Sequence, residues 1–578
     1  MKRMIRSESR PVTRRQFVTT TAGMAAALLA SPAWIRPAAA YAAAPKPESP
    51  EVKSLVVAAL SAATDSGATY ADVHFTVIHR EHIWNASSPP IWVRSAPLDD
   101  YWRYVNTTPG QSIIVGIGVR ALIGGYWGFA GFDGVPTKDA AVTLGKSAAA
   151  QAREISNGPR RVTELGPAPA HVANGSWTMP GIDPLSVPLT EKLDFLHMLM
   201  DEALRAQPTG GSGCAIRVAR CEQTFASSDR AYTTQITYTT GADWDVAMQK
   251  NPEYPGAPGI MADSMTVAGA GWEYLCTQPI PERARELLDT SARLQFHTQS
   301  TPGRYDLVCD AYTTAALVDC TLGRATELDR AMGYLANSVG TSYLSDPVEM
   351  LGTEAIGAPA VTVTANRSME KGAATVHWDD EGIVPSETAL VTQGKVTDFQ
   401  TTRESASWLA PAYTRVGKPV VSNGCAHAVG GTTPLTQRCP NLVLQPGAGT
   451  LSFEELVKNT KRGIAAIGVR PSTDFQALNG TGGGEEHQHL VEIVNGRLGQ
   501  ILENAQFVFR APDLWRSVTA LGGPTSARAF GFERSRDVGD PGAPRYVSDS
   551  SWLTSNRVAH TVSAVPMIVS NMAVMNVL

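Results

Sequence analysis

The sequence has 578 residues with a formal net charge of −5, and its Lys and Arg residues form no basic stripe. Nucleic acid is therefore not an expected partner, since proteins that bind it concentrate positive charge on one surface. A hydrophobic content of 43% and a charged content of 18% are ordinary for a globular protein. The 51 Gly and 38 Pro residues favour a loop-rich, strand-containing protein over a helical bundle.

The first residues contain the three parts of a removable export signal. A basic segment with Arg14 and Arg15 precedes an Ala-rich apolar stretch, Thr19–Trp34, and a small-residue segment, Pro37–Ala44. The paired arginines indicate the bacterial twin-arginine (Tat) variant of such signals. We predict that residues 1–44 are a Tat signal peptide and that the protein is exported to the periplasm or the extracellular space. No later segment reaches about 18 consecutive apolar residues, so we expect a soluble mature chain without a membrane span.

Residues 50–300 alternate between helical and strand patterns. Apolar residues at helical spacing predict three helices: Val52–Ser66, Thr137–Ser156 with Thr137 as its N-cap, and Leu189–Gln207. Alternating or short apolar runs predict five strands: Tyr70–Val77, Ile113–Ile123, Tyr126–Ala130, Ala215–Ala219 and Tyr232–Thr239. A Gly-Gly pair at 124–125 predicts a hairpin between two of them. We interpret this region as an N-terminal α/β domain.

Residues 303–578 have a different pattern, with one long helix and many short strands. Asp310–Asn337 is predicted as that helix, and a capping box at Ser452 opens a second helix that reaches about Ala466. Short strands are predicted between turns of Gly, Asp and Pro: Val361–Thr364, Thr375–Trp378, Ala389–Val391 and Leu442–Leu444. The tail, Ala559–Val577, alternates like one or two closing strands. The whole chain is therefore predicted to be α+β with two domains, the second strand-rich and carrying the long helix.

The cysteine pattern does not indicate a structural zinc ribbon, because no CxxC pair occurs. The seven cysteines are Cys214, Cys221, Cys276, Cys309, Cys320, Cys425 and Cys439. An odd number leaves at least one thiol unpaired within the chain. Cys214 and Cys221 are close enough in sequence for a hairpin-sized disulfide, and buried free thiols are the equal alternative.

Several segments, in this order, resemble the TldD/PmbA peptidase family, once called modulators of DNA gyrase. They are Ser66–Val73, the hairpin from Gly116 to Ala130, the Asp379-Asp380-Glu381-Gly382 turn and the Val494–Leu498 strand. The likeness covers most of the mature chain, and the order of the segments is more specific than any one of them. It implies the family's two-domain fold and a relation to peptide cleavage.

In this family the TldD-type chains carry H-E-x-x-x-H-x-L-E-x-D on a helix. The resemblance implies that the two histidines and a distant C-terminal cysteine hold zinc and that the first glutamate is the general base. The equivalent stretch here keeps the trailing acidic pair as Glu327 and Asp329. The first histidine is replaced by Asp319, the general base by Cys320 and the second histidine by Arg324.

These replacements argue against the family's zinc site in this chain. A catalytic zinc needs three ligands and one open position. Arg324 has no lone pair for a metal, and no cysteine follows Cys439. We expect a polar contact between Asp319 and Arg324 in place of the metal, although residues five apart are not neighbours on a regular helix. No cofactor is therefore expected in this chain.

The resemblance also implies a partner. TldE (PmbA)-type chains of the family lack the zinc motif and pair with a TldD-type chain that has it. The joint assembly encloses a cleft that cuts unfolded peptides. This chain is therefore interpreted as the non-catalytic subunit of such a metallopeptidase, in a heterodimer or higher oligomer with zinc in the partner chain.

Two alternatives stay open. One is an active metallopeptidase with a rearranged metal site built from His487, His489, Cys425 and His427. On a strand, His487 and His489 would point the same way, which suits a metal. A polar loop at the rim of a cleft accounts for the same residues. The other alternative is a peptide-binding protein of the cell envelope with no catalysis.

Overall fold

The computed structural model describes most of the chain after the predicted signal. The described residues are 46, 48–87, 106–155, 163–166, 173–206, 212–247, 260–293, 297–428, 430, 433–483, 489–534 and 557–577. The predicted signal peptide with Arg14 and Arg15, and also His487, lie outside these residues. Among the helices of the described ranges, none has the length and apolar character needed to cross a membrane.

The N-terminal sheet has seven strands. They are β1 (Tyr70–Ser87), β2 (Asn106–Ile123), β3 (Tyr126–Asp133), β4 (Asn174–Thr178), β5 (Ser212–Ser227), β6 (Tyr232–Ala247) and β7 (Ile260–Ala268). Their order is β3-β2-β1-β5-β6-β4, with β7 also paired to β6. The β4 and β6 strands are parallel and the other neighbours are antiparallel.

The helices of this region cover one face of the sheet. They are α1 (Pro50–Asp65), α2 (Lys138–Ile155), α3 (Leu189–Ala206), α4 (Glu273–Cys276) and α5 (Ile280–Arg293). The odd-numbered residues of β1, such as Val73 and Phe75, join the core beneath α1, and Ile83 joins the core beneath α3. Side chains alternate along a strand, so Asp72 and His74 point to the opposite face. This second, polar face of the sheet meets the C-terminal region.

The C-terminal region is built from many short strands. In chain order they are β8 (His297–Gln299), β9 (Gly303–Cys309), β10 (Val363–Ala365), β11 (Thr388–Thr392), β12 (Lys395–Val396), β13 (Ala426–His427), β14 (Thr436–Gln437), β15 (Leu442–Leu444), β16 (Arg462–Ile467), β17 (Ser472–Thr473), β18 (Gly480–Gly482), β19 (His489–Val494), β20 (Arg497–Glu503), β21 (Ala505–Phe509), β22 (Val518–Leu521), β23 (Arg528–Arg534), β24 (Val558–Ala564) and β25 (Met567–Asn576). One sheet has the order β12-β11-β10-β15-β24-β23. A larger one has the order β17-β18-β21-β25-β9-β16-β19-β20-β8, with β22 also paired to β25, and β13 and β14 form a small hairpin.

Short helices connect these strands. They are α6 (Ala311–Leu317), α7 (Leu328–Ala331), α8 (Pro347–Met350), α9 (Arg403–Trp408), α10 (Ala410–Val416), α11 (Phe453–Asn459) and α12 (Ala511–Arg516), with a 3-10 turn at Pro524–Ser526. Both α9 and α11 begin with capping boxes, at Thr402 and Ser452. The α6 helix contacts β23 and β24 of one sheet and β9 and β16 of the other. It therefore lies in the core between the two large sheets.

The observed elements confirm the α+β prediction and the N-terminal elements, including the cap at Thr137, whose Oγ1 accepts the Ala140 N–H at 3.2 Å. The tail resolves into two strands, β24 and β25, in different sheets. The domain boundary near residue 300 stays a prediction.

Three predictions of local structure were wrong. The long helix stops after Ala325, because Glu327 adopts an extended conformation and its backbone bridges to Gln400. The α11 helix ends at Asn459, where the chain turns into β16 and pairs with β9 and β19. The segment Thr375–Trp378 is irregular and not a strand, and it follows a turn in which the Thr375 N–H donates to the carbonyl of Gly372 at 3.0 Å.

The geometry of β5 decides between a disulfide and two unlinked thiols for Cys214 and Cys221. Both residues lie on this one continuous strand, seven positions apart. At about 3.3 Å per residue they are separated by roughly 23 Å, far beyond the reach of a disulfide. All seven cysteines lie within the described residues, and none of them forms a disulfide there.

Candidate functional site

The stretch that resembles the zinc motif begins on α6 and continues through a π-helical turn, Val318–Gly323. The Asp310 carboxylate caps α6 by accepting the N–H of Thr313 at 2.7 Å. The indole N–H of Trp515 is donated to Thr321 Oγ1 at 2.8 Å and holds the π turn. A π turn closes its hydrogen bonds between residues five apart, and such turns are frequent at functional sites. It therefore brings positions 319 and 324 to one side of the helix, which a regular α-helix would not.

Asp319 is buried and held by two side chains from distant strands. Arg534 of β23 donates to both the carboxylate and the backbone carbonyl of Asp319. His560 of β24 places its Nε2 atom 2.5 Å from Asp319 Oδ1. Burial opposes ionisation of Asp319, but the Arg534 charge and the His560 hydrogen bond outweigh it and hold its pKa well below the usual range. Burial lowers the pKa of His560, so this side chain is neutral at pH 7 and donates its Nε2–H to the carboxylate.

Glu327 takes part in the same network. Its carboxylate accepts from Arg330 Nε at 3.0 Å and from Arg534 at 3.3 Å. One guanidinium, that of Arg534, therefore connects the first two of the three acidic positions of the stretch. The third acidic residue, Asp329, accepts the backbone N–H of Arg330 in α7 at 2.8 Å.

The expected contact between Asp319 and Arg324 is not formed. In the described part of the chain Arg324 makes one hydrogen bond, to Thr473 Oγ1 at 3.4 Å, and Arg534 occupies the place beside Asp319. Burial and the nearby charge of Arg534 lower the pKa of Arg324. The Cys320 thiol lies 3.7 Å from the Leu317 carbonyl, and burial raises its pKa to about 12.

We call six residues the motif cluster: Asp319, Arg324, Glu327, Arg330, Arg534 and His560. It does not fit the zinc of the family. The two carboxylates are already bonded to guanidinium groups, and a guanidinium offers no electron pair to a metal. Within the described ranges, no three His, Cys, Asp or Glu side chains are grouped so that they could hold a metal ion.

The described residues of the alternative metal site lie on two elements, Cys425 and His427 at the β13–β14 hairpin and His489 on β19. His427 is on the β13–β14 hairpin, where its Nδ1 atom lies 3.2 Å from Asp380 Oδ2. Cys425, just before β13, is buried, and burial raises the pKa of its thiol to about 12, which disfavours the thiolate a metal needs. His489 is the first residue of β19 and is buried opposite Ile467. His487 lies outside the described residues, so the complete four-residue site stays a prediction.

A second buried network joins the polar face of the N-terminal sheet to the C-terminal region. We call Asp379–Gly382 the interface turn. Asp379 accepts the N–H groups of Glu381 and Ile383 at 2.9 and 2.8 Å, and Gly382, with a φ of 74°, closes the turn in the left-handed region that favours glycine. Asp380 accepts the backbone N–H of Ala428 at 2.6 Å. The turn is thus shaped by the bonds of the Asp379 carboxylate to nearby backbone N–H groups, and Asp380 connects it to the chain after β13.

Arg120 of β2 is the link across this interface. Its guanidinium binds Asp72 of β1 through two hydrogen bonds, at 3.0 and 2.5 Å, and Glu381 through a third at 3.3 Å. It also stacks over Trp127, 4.5 Å from the ring centroid. Glu381 in turn accepts the Arg403 N–H at 2.7 Å. All four carboxylate oxygens of Asp72 and Glu381 have hydrogen-bond partners, which makes this link a structural connection between the two regions.

Sequence analysis did not find Arg534, His560 or Arg120. The first two lie 215 and 241 residues after Asp319, and no local pattern connects them to it. Arg120 follows the G-x-G-V segment of the resemblance, and the register of β1 and β2 places it opposite Asp72. If the pairing of β1 with β2 had been predicted from the sequence, it would have indicated the contact between Arg120 and Asp72.

Comparisons with known proteins support the family resemblance. The family profile described as "PmbA/TldA metallopeptidase C-terminal domain" matches residues 302–568. A protein of Methanothermobacter thermautotrophicus named Metalloprotease is 26% identical over 356 residues, which are 61% of this chain and 70% of that protein. A second metalloprotease, from Methanocaldococcus jannaschii, is 28% identical over 241 residues, which are 41% of this chain and 48% of that protein.

Solved structures show the same fold. A protein described as a modulator of DNA gyrase from Bacteroides thetaiotaomicron aligns with a TM-score of 0.63 at 14% identity, covering 92% of this chain and 100% of that one. TldE from Thermococcus kodakarensis aligns with a TM-score of 0.63 at 13% identity, covering 91% of this chain and 100% of that one. At these identities the likeness concerns the fold alone. Together with the matched profile it leads to one conclusion: residues 302–568 belong to the C-terminal domain of the TldD/PmbA family of metallopeptidase-like proteins, and the chain has the fold of its TldE and gyrase-modulator neighbours.

Proposed function

We propose that this protein is the non-catalytic subunit of a TldD/PmbA-type peptidase, paired with a zinc-bearing paralogue and helping to form the cleft that receives unfolded peptides. One observation carries the proposal. The position of the second zinc ligand is a guanidinium, Arg324, and the carboxylate at the first, Asp319, is bonded to Arg534 and His560. In such a complex, peptide-bond hydrolysis takes place at the partner's metal and this chain contributes binding surface.

An extended peptide can bind by adding a strand to the edge of a sheet. Among the described residues, β4 is the last strand on its side of the N-terminal sheet, and most of its residues are exposed. Trp177 of β4 stacks on His377 with ring centroids 5.7 Å apart. We call the stacked Trp177 and His377 side chains the aromatic platform. A strand edge beside this platform can form backbone hydrogen bonds with a peptide of almost any sequence.

Export is part of the proposal. The basis is the Arg14-Arg15 pair followed by the apolar and small-residue segments. We expect the wild-type precursor to be exported in a Tat-competent bacterium and the Arg14→Lys, Arg15→Lys double variant to stay in the cytoplasm. Fractionation and immunoblotting measure this. Equal export of the two proteins would remove the Tat assignment and leave the subunit role untouched.

Co-expression tests the pairing. The partner is a paralogue that carries H-E-x-x-x-H, and the two chains should elute together from a sizing column with zinc in the partner. The Arg285→Gln variant, which changes an exposed arginine of α5, should assemble equally well and serves as the control. If both proteins elute as monomers, the subunit role is wrong.

Metal analysis of the purified chain tests the alternative of a rearranged site. We expect less than about 0.1 zinc per chain, since catalytic zinc is normally held tightly enough to survive purification. Stoichiometric zinc that is lost in a His489→Ala or His427→Ala variant would favour the rearranged metallopeptidase instead.

A further inference from the structure

The motif cluster contains more positive than negative charge. Three guanidinium groups, those of Arg324, Arg330 and Arg534, lie with two carboxylates, those of Asp319 and Glu327. The sixth member, His560, carries no charge at pH 7, because burial lowers its pKa. The cluster therefore has an excess of one positive charge in a largely desolvated place.

The excess charge can be assigned to one side chain. Arg534 is bonded to Asp319 and Glu327, and Arg330 is bonded to Glu327 and to the Val339 carbonyl at 2.6 Å. Arg324 has no ion pair with any described residue, and its single hydrogen bond, to Thr473, is 3.4 Å long. A guanidinium has five N–H donors in a planar fork, so most of the donors of Arg324 are unused.

This arrangement is unfavourable without a further partner. A desolvated charge without a counter-charge destabilises a protein, and a like charge nearby adds repulsion. Burial and the Arg534 charge both act on Arg324, as the lowering of its pKa shows. A second unused donor lies in the same cluster, because Arg534 Nε is buried and has no acceptor in the described part of the chain. An anion placed between the two guanidinium groups would satisfy both.

We propose that Arg324, supported by Arg534, binds the terminal carboxylate of a peptide in the place where the catalytic members of the family hold zinc. A guanidinium fork binds a planar carboxylate through two parallel hydrogen bonds, a geometry that a lysine cannot reproduce. Every peptide has one terminal carboxylate whatever its sequence, so this group suits a subunit that receives unfolded chains. The inference rests on the proposed function and names the chemical group that this chain recognises.

The neighbouring side chains are suited to this ligand. Thr473 Oγ1 is already within hydrogen-bond distance of Arg324 and its hydroxyl can donate to a carboxylate. The Cys320 thiol stays protonated, because burial raises its pKa to about 12, and adds no competing negative charge. Arg324 is half-buried, so the side chain is partly accessible to a chain end and partly shielded from bulk water.

The test compares two forms of one peptide. A six-residue peptide with an N-terminal fluorophore is prepared with a free C-terminal carboxylate and as the C-terminal amide, and binding to the full chain is measured by fluorescence anisotropy. We expect the acid to bind at least tenfold more tightly than the amide. The Arg324→Gln variant should remove this preference, and Arg324→Lys should restore it only in part. The Arg285→Gln control should keep it.

The outcomes separate the two proposals. Equal binding of acid and amide, an acid preference that survives in Arg324→Gln, or no binding of either peptide would overturn the carboxylate site. Displacement of the acid peptide by an equimolar concentration of inorganic phosphate would also overturn it, in favour of a general anion site. Assembly with the zinc-bearing paralogue is measured independently on the sizing column, so loss of the carboxylate site leaves the subunit role standing. Thermal unfolding of each variant confirms that binding is compared between folded proteins.

Discussion

The interface turn and the motif cluster are both buried networks of carboxylates and arginines, but they are completed differently. At the interface, Glu381 accepts both the Arg403 N–H and the Arg120 guanidinium, and Arg120 is also bonded twice to Asp72. In the motif cluster, Arg534 is shared by Asp319 and Glu327 and another guanidinium is left over. We call the first network closed because each of its guanidinium groups has an ion pair, whereas Arg324 of the second has none among the described residues.

This difference shows that burial and charge do not by themselves identify a binding site. Both networks are buried and both contain perturbed pKa values, since burial raises the pKa of Asp379 and arginine neighbours lower that of Asp319 despite its burial. What distinguishes them is the pairing of their guanidinium groups, because Arg120 and Arg403 both have ion pairs whereas Arg324 has none among the described residues. We therefore assign the interface network to folding and the motif cluster to binding.

The largest expected effect concerns the closed network. Replacing Arg120 by Met leaves the Asp72 and Glu381 carboxylates buried without their shared counter-charge. We expect a loss of about 3–5 kcal/mol in the free energy of unfolding, the range found when one partner of a buried pair is removed. Urea unfolding followed by circular dichroism measures it, with Arg285→Met as the exposed control. A loss below about 1 kcal/mol would contradict a structural role for this network.

A smaller loss is expected from Arg534→Met in the motif cluster. Asp319 keeps its hydrogen bond from His560, and Glu327 keeps its bond from Arg330. We expect a loss of about 2–3 kcal/mol, equivalent to hydrogen bonds to a charged group. The same urea experiment measures it, and a loss equal to or larger than that of Arg120→Met would remove the ranking of the two networks.

The pH dependence of stability should change when His560 is replaced. Burial lowers the pKa of the folded-state imidazole, whereas the unfolded one takes up a proton near pH 6.5. The unfolded state therefore binds more protons below this pH, and the stability that neutral His560 provides above it is lost as the pH falls. In His560→Gln we expect the decline between pH 6.5 and 5 to be shallower by up to about 1.4 kcal/mol per pH unit.

The control for this measurement is His377→Gln, which changes an exposed histidine of the aromatic platform. Its decline with pH should match that of the wild-type protein. Identical pH profiles for His560→Gln and the wild type would show that His560 is not held neutral in the folded protein.

The smallest effect on stability is expected for Arg324→Gln. The side chain makes one long hydrogen bond to Thr473 and is repelled by Arg534, so its removal should change the free energy of unfolding by less than about 1 kcal/mol, in either direction. Arg330→Gln is the matched comparison. It breaks a buried ion pair with Glu327 and should lower the free energy of unfolding clearly more than Arg324→Gln. A large loss in Arg324→Gln would indicate a structural role in place of a binding role.

The sequence predicted the elements that depend on local patterns. The apolar spacing of α1, the capping box of α11 and the alternation of β24 and β25 are properties of neighbouring residues, and each element was found. The long-helix prediction failed at Glu327, because a backbone bridge to Gln400 overrides the helical pattern there. Local periodicity contains no information about such a contact 73 positions away.

For the site, the sequence alone placed a guanidinium at position 324, where the family resemblance implies a zinc ligand, and a guanidinium lacks an electron pair in any fold. The tertiary structure decided what replaces it. The packing of α6 between two sheets brings Arg534 and His560 to Asp319, and the π turn places Arg324 beside them without a partner of its own. Partner choice depends on distance in space, which residue identity does not contain, and so the excess charge of the motif cluster became visible only in the folded chain.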